Sequence, residues 1–330
     1  MCDMATILYQ DCADKDILKD KIIAVIGYGN QGRAHALNLR DSGFSVIVGA
    51  RADGASYEQA SKDGFTTLSI EKAAGQSELI VLTLPDEQIP KVYNGSIKPH
   101  AKPDTAYLFA HGFAINYKTI TLPKTADIIM VAPTGPGHQV RSLYLAHKGL
   151  PALIAVEQNS SGQAREKALA YADGIGSTRA GVIETSFHEE TVVDLFCEQA
   201  VLCGGIPELI KSSFETLVKN GYQPELAYIS CLKEVKLIAD LLFDRGLDGM
   251  RSAISNTARY GAYMTGPELI DSRTRDKLDS ALERIENGEF ARIFLKDAGR
   301  PDNLARTMQA EEKNSRLNRT GAELKESLTF

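Results

Sequence analysis

Three acidic residues stand in helical stretches where a charge is expensive. In "ETVVDLFCEQAVLCGG", Asp194 and Glu198 are four residues apart, so both leave one face of a helix. Leu195, Phe196, Ala200, Val201 and Leu202 surround them, so the helix reads as apolar almost all round and buried. A carboxylate pair at this spacing commonly sits in water. Buried among apolar neighbours it needs a cation, and no Lys or Arg lies within one turn on this helix. A hard divalent ion such as Mg²⁺ fits an all-oxygen donor set. Glu234, in the apolar stretch "AYISCLKEVKLIADLL", raises the same problem and can share the same solution. A salt bridge to Lys233 or Lys236 is the plain alternative, but those residues point away from its face. One turn before Glu234, where a second carboxylate would share its direction, stands Ser230.

A second chemical element is the turn "GYGNQG", a G-x-G-x-x-G formed by Gly27, Gly29 and Gly32. It follows the apolar run "KIIAVIG" and opens a helix, the context that lifts a weak pattern above an ordinary Gly-rich turn. Gly27 permits the tight turn, Gly29 lets a pyrophosphate approach the backbone, and Gly32 lets the helix pack close to the sheet. Free N–H groups at the helix start then hold the phosphate. The turn therefore points to a dinucleotide. The next strand ends "VGAR", so Arg51 is placed to meet a 2′-phosphate or stack on the adenine. Asp53, two residues on, repels a 2′-phosphate unless it is merely a solvated loop residue, and Ser56 can donate to either cofactor. The balance favours NADP(H) over NAD(H).

These groups need a scaffold. Apolar runs "FSVIVGA", "ELIVLTL", "TAYLFAHG", "DIIMVAP" and "LPALIAV" follow the first one, separated by helical stretches to about Ser42 and from about Ser56 to Asp63. Continuous apolar strands between helices predict a doubly wound α/β domain with a parallel sheet covered on both faces. After about Gly181 helical periodicity takes over, which predicts a Rossmann domain over residues 1–182 and an all-α domain over 183–330. The polar segment from about Arg300 to Phe330 reads as a surface helix and tail. A length of 330 residues suits two domains. Net charge is −6, against a nucleic-acid footprint, and the absence of Trp speaks against a base-stacking surface. No apolar run approaches a membrane span of roughly 20 residues, and the acidic start "MCDMATILYQDCADKD" lacks the regions of a signal peptide. Cys2, Cys12, Cys197, Cys203 and Cys231 form no C-x-x-C pair. The reading is a cytoplasmic protein with reduced thiols.

The segments "GYGNQGRAHALNLRDSGFSVIVG", "FAHGF", "APTGPGHQVRS", "DLFCEQAVLCGG", "FETLVKNGYQPELAY" and "AISNTARYG" together resemble the short-chain (class I) ketol-acid reductoisomerases, over about residues 5–295 and with matching spacing. The resemblance implies a Rossmann domain, a helical knotted domain, and an active site completed across a homodimer or a multiple of dimers. It implies two reactions in one site. A Mg²⁺-assisted alkyl shift in a 2-acetolactate-type substrate precedes hydride reduction to a 2,3-dihydroxy acid of branched-chain amino-acid synthesis. By position, the phosphate turn falls on Tyr28, Gly29, Asn30 and Gln31, and the adenosine side on Arg51 and Ser56. Asp86, Glu87, Gln88 and Gly137 line the cofactor cleft. The active-site histidine falls on His111, the first metal pair on Asp194 and Glu198, and the substrate serine on Ser255.

The chain also departs from the family. Ser230 stands where the third metal-binding glutamate is implied, while Glu234 is the fourth and is present. Thr134 replaces an active-site lysine, Lys233 a common histidine, and Gly54 one of two serines that hold the 2′-phosphate. A serine hydroxyl is a neutral, shorter ligand, so one Mg²⁺ fits and the second loses support. Three functions follow from these residues. The first is a reductase of a small 2-keto acid or imine with a weakened alkyl shift. The second is an authentic reductoisomerase making 2,3-dihydroxyisovalerate. The third is a non-catalytic dinucleotide-binding protein.

Overall fold

The structure, a computed structural model, describes residues 6–327. The chain divides into two compact units, Met1–Thr191 and Val192–Phe330. Cys2 lies outside the described residues. Cys12, Cys197, Cys203 and Cys231 are free thiols, as the cysteine spacing predicts.

The first unit is built on nine strands: β1 (Ile7–Leu8), β2 (Ile22–Ile26), β3 (Ser45–Gly49), β4 (Thr66–Leu68), β5 (Leu79–Leu82), β6 (Ala106–Phe109), β7 (Ile128–Pro133), β8 (Ala152–Gln158) and β9 (Val182–Glu184). They form one sheet in the order β1-β9-β8-β7-β6-β5-β2-β3-β4. Strands β2 to β7 pair in parallel. Their side chains divide between two apolar layers. Ile23, Val25, Val81 and Leu108 pack on one face, and Ala24, Ile26, Ile80 and Phe109 on the other. This explains runs without polar alternation: both faces are covered by helices. Those helices are α1 (Asn30–Asp41), α2 (Ala55–Lys62), α3 (Ile70–Gln76), α4 (Ile89–Val92), α5 (Phe113–Asn116), α6 (Gly137–Leu145) and α7 (Ala164–Gly174).

Two expectations are corrected. The run "LPALIAV" is a strand, but β8 lies antiparallel to β7. Helix α6 is only nine residues long and is followed by His147 in a left-handed conformation (φ 57°), which helps return the chain to the end of the sheet it had left. An apolar run does not encode strand direction. Strand β9 also falls just past Gly181, too short to read from its sequence.

Helix α8 (Phe187–Cys197) runs across the division between the units. The second unit is helical, with α9 (Gly205–Lys219), α10 (Pro224–Tyr228), α11 (Glu234–Ala253), α12 (Asn256–Leu269), α13 (Ser272–Glu286), α14 (Glu289–Ala298), α15 (Leu304–Lys313) and α16 (Arg316–Ser327). Gly246 breaks α11 with φ 66°, a left-handed conformation that suits glycine. Up to Ser327 the C-terminal segment is helical and α16 packs on α10. Gly321 of α16 lies so close to Tyr228 that a Cβ there would meet the ring at 2.7 Å, and Leu324 is buried.

Candidate functional site

Strand β2 pairs with both β3 and β5, so the order of winding reverses beside it, and the crevice at such a reversal is where open α/β sheets bind ligands. The glycine turn sits there. Gly27 has φ 98°, and a Cβ on it would meet the Thr83 carbonyl at 2.8 Å. A Cβ on Gly32 would lie 1.9 Å from the Gly27 carbonyl, so that glycine serves close helix packing. Gly29 has nothing within 4 Å, which leaves its backbone open to a ligand. Thr83 closes the turn from β5 by donating its hydroxyl to the Gly27 carbonyl at 2.7 Å. Asn30 and Gln31 open α1, where unsatisfied N–H groups favour an anion.

The loop after β7 docks on this turn. Gln31 Nε2 donates to the Gly135 carbonyl at 2.8 Å, and a Cβ on Gly137 would lie 2.1 Å from the Asn30 carbonyl. Gly137 therefore shapes the phosphate turn from outside it. Thr134 gives its hydroxyl and its amide to the same acceptor, the Pro151 carbonyl, at 3.0 and 2.9 Å. On the adenosine side Arg51 and Asp53 are exposed and Ser56 is half-buried. Gly54 caps α2 without any side-chain hydroxyl.

Asp86, Glu87 and Gln88 follow β5, and His111 follows β6, at neighbouring strand ends. His111 Nδ1 lies 3.5 Å from Asp86 Oδ2. The structure adds a residue the sequence reading missed. Glu190 is buried on α8, and its carboxylate accepts the Gly112 N–H at 2.8 Å. A Cβ on Gly112 would meet Thr191 Oγ1 at 2.3 Å and Glu190 Oε2 at 2.8 Å, so the "HG" pair is fitted against that carboxylate. Ligand atoms of His111 and Glu190 lie within 4.8 Å of each other, and those of Glu190 and Asp194, one turn apart on α8, are as close. The signal was in the sequence: Glu190, Asp194 and Glu198 recur every four residues.

From the end of α8 onward the expectation of buried acids is corrected. Asp194, Glu198 and Glu234 are exposed in the chain, and apolar Val193, Val201 and Leu202 are exposed beside them. Helical periodicity showed which side chains share a face but not whether this chain covers that face. Two helices widen at the acids. Over Glu198–Leu202 and Ile229–Lys233 the backbone takes π geometry, with Cys203 N–H on the Glu198 carbonyl and Glu234 N–H on that of Ile229. Such widenings recur at functional sites. The second one still leaves Ser230 on the Glu234 side, its hydroxyl donating to Glu234 Oε1 at 3.4 Å. Burial and the Glu234 carboxylate push the Cys231 thiol up, so it stays protonated. Ser255 caps α12, its hydroxyl accepting the Ala258 N–H at 3.1 Å. Carboxylate oxygens are the donors a hard ion such as Mg²⁺ takes, and the Ser230 hydroxyl brings no charge to the Glu234 carboxylate it meets.

Two family models match the chain: the NADPH-binding domain of acetohydroxy acid isomeroreductase over residues 17–181, and the C-terminal domain of ketol-acid reductoisomerase over residues 187–330. An NADH-preferring ketol-acid reductoisomerase from an uncultured archaean is 42% identical, with 98% of this chain and 100% of that one covered and a TM-score of 0.95. A semialdehyde dehydrogenase NAD-binding protein from Cupriavidus necator is 18% identical, covering 81% and 99%, with a TM-score of 0.62. A pyrroline-5-carboxylate reductase from Coxiella burnetii is 17% identical, covering 80% and 96%, with a TM-score of 0.55. The last two share the fold alone.

Proposed function

The chain belongs to the ketol-acid reductoisomerase family, and from that premise we propose that it reduces a small 2-keto acid while its Mg²⁺-dependent alkyl shift is weakened. It is an NAD(P)H-dependent oxidoreductase. The observation that carries the proposal is the Ser230–Glu234 pair, in which a neutral hydroxyl stands where the family implies a carboxylate. Thr134 supports it, because its hydroxyl is spent on the Pro151 carbonyl and brings no cation.

Asp194, Glu198 and Glu234 would hold Mg²⁺, which would supply Lewis-acid polarisation of substrate oxygens. With one carboxylate fewer, the shift suffers first, since it needs two oxygens polarised at once. Reduction needs less. The cofactor supplies hydride when bound, and the turn Gly27–Gly32 with Asp86, Glu87, Gln88 and Gly137 holds it in place. His111, oriented by Asp86 and by the Glu190-bound Gly112 beside it, manages the proton at the reduced oxygen. Ser255 contacts the substrate. Arg51 and Ser56 favour NADPH, Asp53 and the bare Gly54 oppose it, and the reading leans to NADP(H) with NADH accepted. The protein works in the cytoplasm as a homodimer or a multiple of dimers, binding neither nucleic acid nor membrane. No helix among the described residues is long and apolar enough to cross a membrane.

The test compares two substrates by the fall in NAD(P)H absorbance. One is 2-acetolactate, and the other is the 3-hydroxy-2-keto acid that a completed shift would yield. The second should turn over at least about tenfold faster and depend less on Mg²⁺. Equal, strongly Mg²⁺-dependent rates would favour the second reading, an authentic ketol-acid reductoisomerase. That reading draws on the 42% identity over nearly the whole chain.

A further inference from the structure

Asp63 follows the last turn of α2 and collects an unusual set of donors. Its Oδ2 accepts from the Tyr28 hydroxyl at 2.9 Å and from Arg33 Nε at 2.7 Å. Its Oδ1 accepts from Arg33 Nη2 at 3.1 Å and from Gln59 Nε2 at 3.0 Å. Its backbone carbonyl accepts from Arg40 Nη1 at 2.6 Å. The ring of Tyr28 stands edge-on to Phe65 at 5.7 Å, and the Arg40 guanidinium lies over that same Phe65 at 4.6 Å. One short segment, 63–65, thus grips α1 through Arg33 and Arg40 and the phosphate turn through Tyr28.

The grip falls where the turn is weakest. Tyr28 sits between Gly27 and Gly29, and the glycines that admit a pyrophosphate have no side chains to hold the backbone. Tyr28 is almost fully buried, and its hydroxyl reaches across 35 residues of sequence to Asp63. At its other end α2 begins at the adenosine-side loop, residues 51–56. We propose that Asp63 is a positioning residue for dinucleotide binding, fixing the phosphate turn through Tyr28 and tying it to the adenosine-side loop through α2. It touches no nucleotide. A turn ordered beforehand lowers the conformational cost of binding. The charge states suit the role. Hydrogen bonds from Arg33 hold the Asp63 carboxyl down at about 2, and burial pushes the Tyr28 hydroxyl up, so one always accepts and the other always donates. The inference rests on reading Gly27–Gly32 as a nucleotide turn.

Asp63→Asn replaces one of two used acceptors by an NH₂ that cannot accept from Arg33 and that Tyr28 can meet only by turning its hydroxyl from donor to acceptor. Dissociation constants for NADH and NADPH, measured on the full chain by nucleotide fluorescence, should both rise about fivefold or more, and by the same factor. Tyr28→Phe deletes one oxygen from a ring that Phe65 still holds, and should act in the same direction. The double variant should bind no more weakly than the weaker single one, because both changes break one contact. If Asp63→Asn fails to fold, an unchanged constant for Tyr28→Phe overturns the inference by itself. Melting temperatures that fall with unchanged binding, a loss confined to NADPH, or effects that multiply in the double variant would also overturn it. A native chain that binds neither dinucleotide would instead remove the turn's reading, and this inference with it.

Discussion

Ser230 and Thr134 carry the proposal of a weakened alkyl shift. Each has a partner within the chain, Ser230 on Glu234 and Thr134 on Pro151, so neither is free to replace a charged group. Cation affinity in oxygen sites follows the count of ligand charges. Ser230→Glu with Thr134→Lys should therefore tighten Mg²⁺ binding by about tenfold, read by calorimetry, and raise turnover of 2-acetolactate. Binding that stays as weak as in the native chain would put Ser230 away from the ion. Much at this scale was legible in the sequence. The glycine turn is legible from its local pattern of glycine and apolar residues, whereas His111 is singled out only by the family resemblance. Tyr28's tie to Asp63 was not legible, since a single polar residue 35 positions away leaves no periodic trace.

Helices α1 and α7 meet through a polar pair inside an apolar layer. His35 is fully buried, and its Nδ1 lies 2.8 Å from the Tyr171 hydroxyl. Its Nε2 has no hydrogen-bond partner among the described residues. Burial lowers the His35 pKa from 6.5 to about 4, so the folded protein keeps the ring neutral. The unfolded chain takes up a proton first as pH falls. The stability this residue contributes is therefore complete above about pH 6.5 and is lost as pH falls toward about 4. Between about pH 7.5 and 5 the native chain should lose about 2 kcal/mol more than His35→Gln, measured by urea unfolding. Parallel losses in the two proteins would show that His35 is not the group. Periodicity marked α1 and the six longer strands but missed the short β1, β4 and β9, and it hid the reversal of β8. Strand direction depends on where the connecting chain travels, and no run of apolar residues records that.

The two units differ in how well they cover themselves. The first buries two apolar layers around its sheet, whereas the second leaves Leu202, Leu237, Phe243, Leu247, Tyr260 and Met264 exposed. Water-exposed apolar surface on this scale favours association, and the family implies a second copy of the same chain. Light scattering should give about twice the 35.9 kDa of one chain or an even multiple of it, and Phe243→Asp, at a side chain 91% exposed, should shift it toward the single-chain mass. A single-chain mass for the native protein would remove the dimer from the proposal. By itself the sequence determined the class of fold, the nucleotide turn, and the type and spacing of the acids. These are matters of local period and of which residues tolerate a tight turn. Only the tertiary structure decided that Glu190 braces the backbone beside His111, that Asp63 anchors Tyr28, and that Asp194, Glu198 and Glu234 are exposed within one chain. Those outcomes depend on which distant surfaces meet, and long-range packing, unlike helical or strand period, is not written in neighbouring residues.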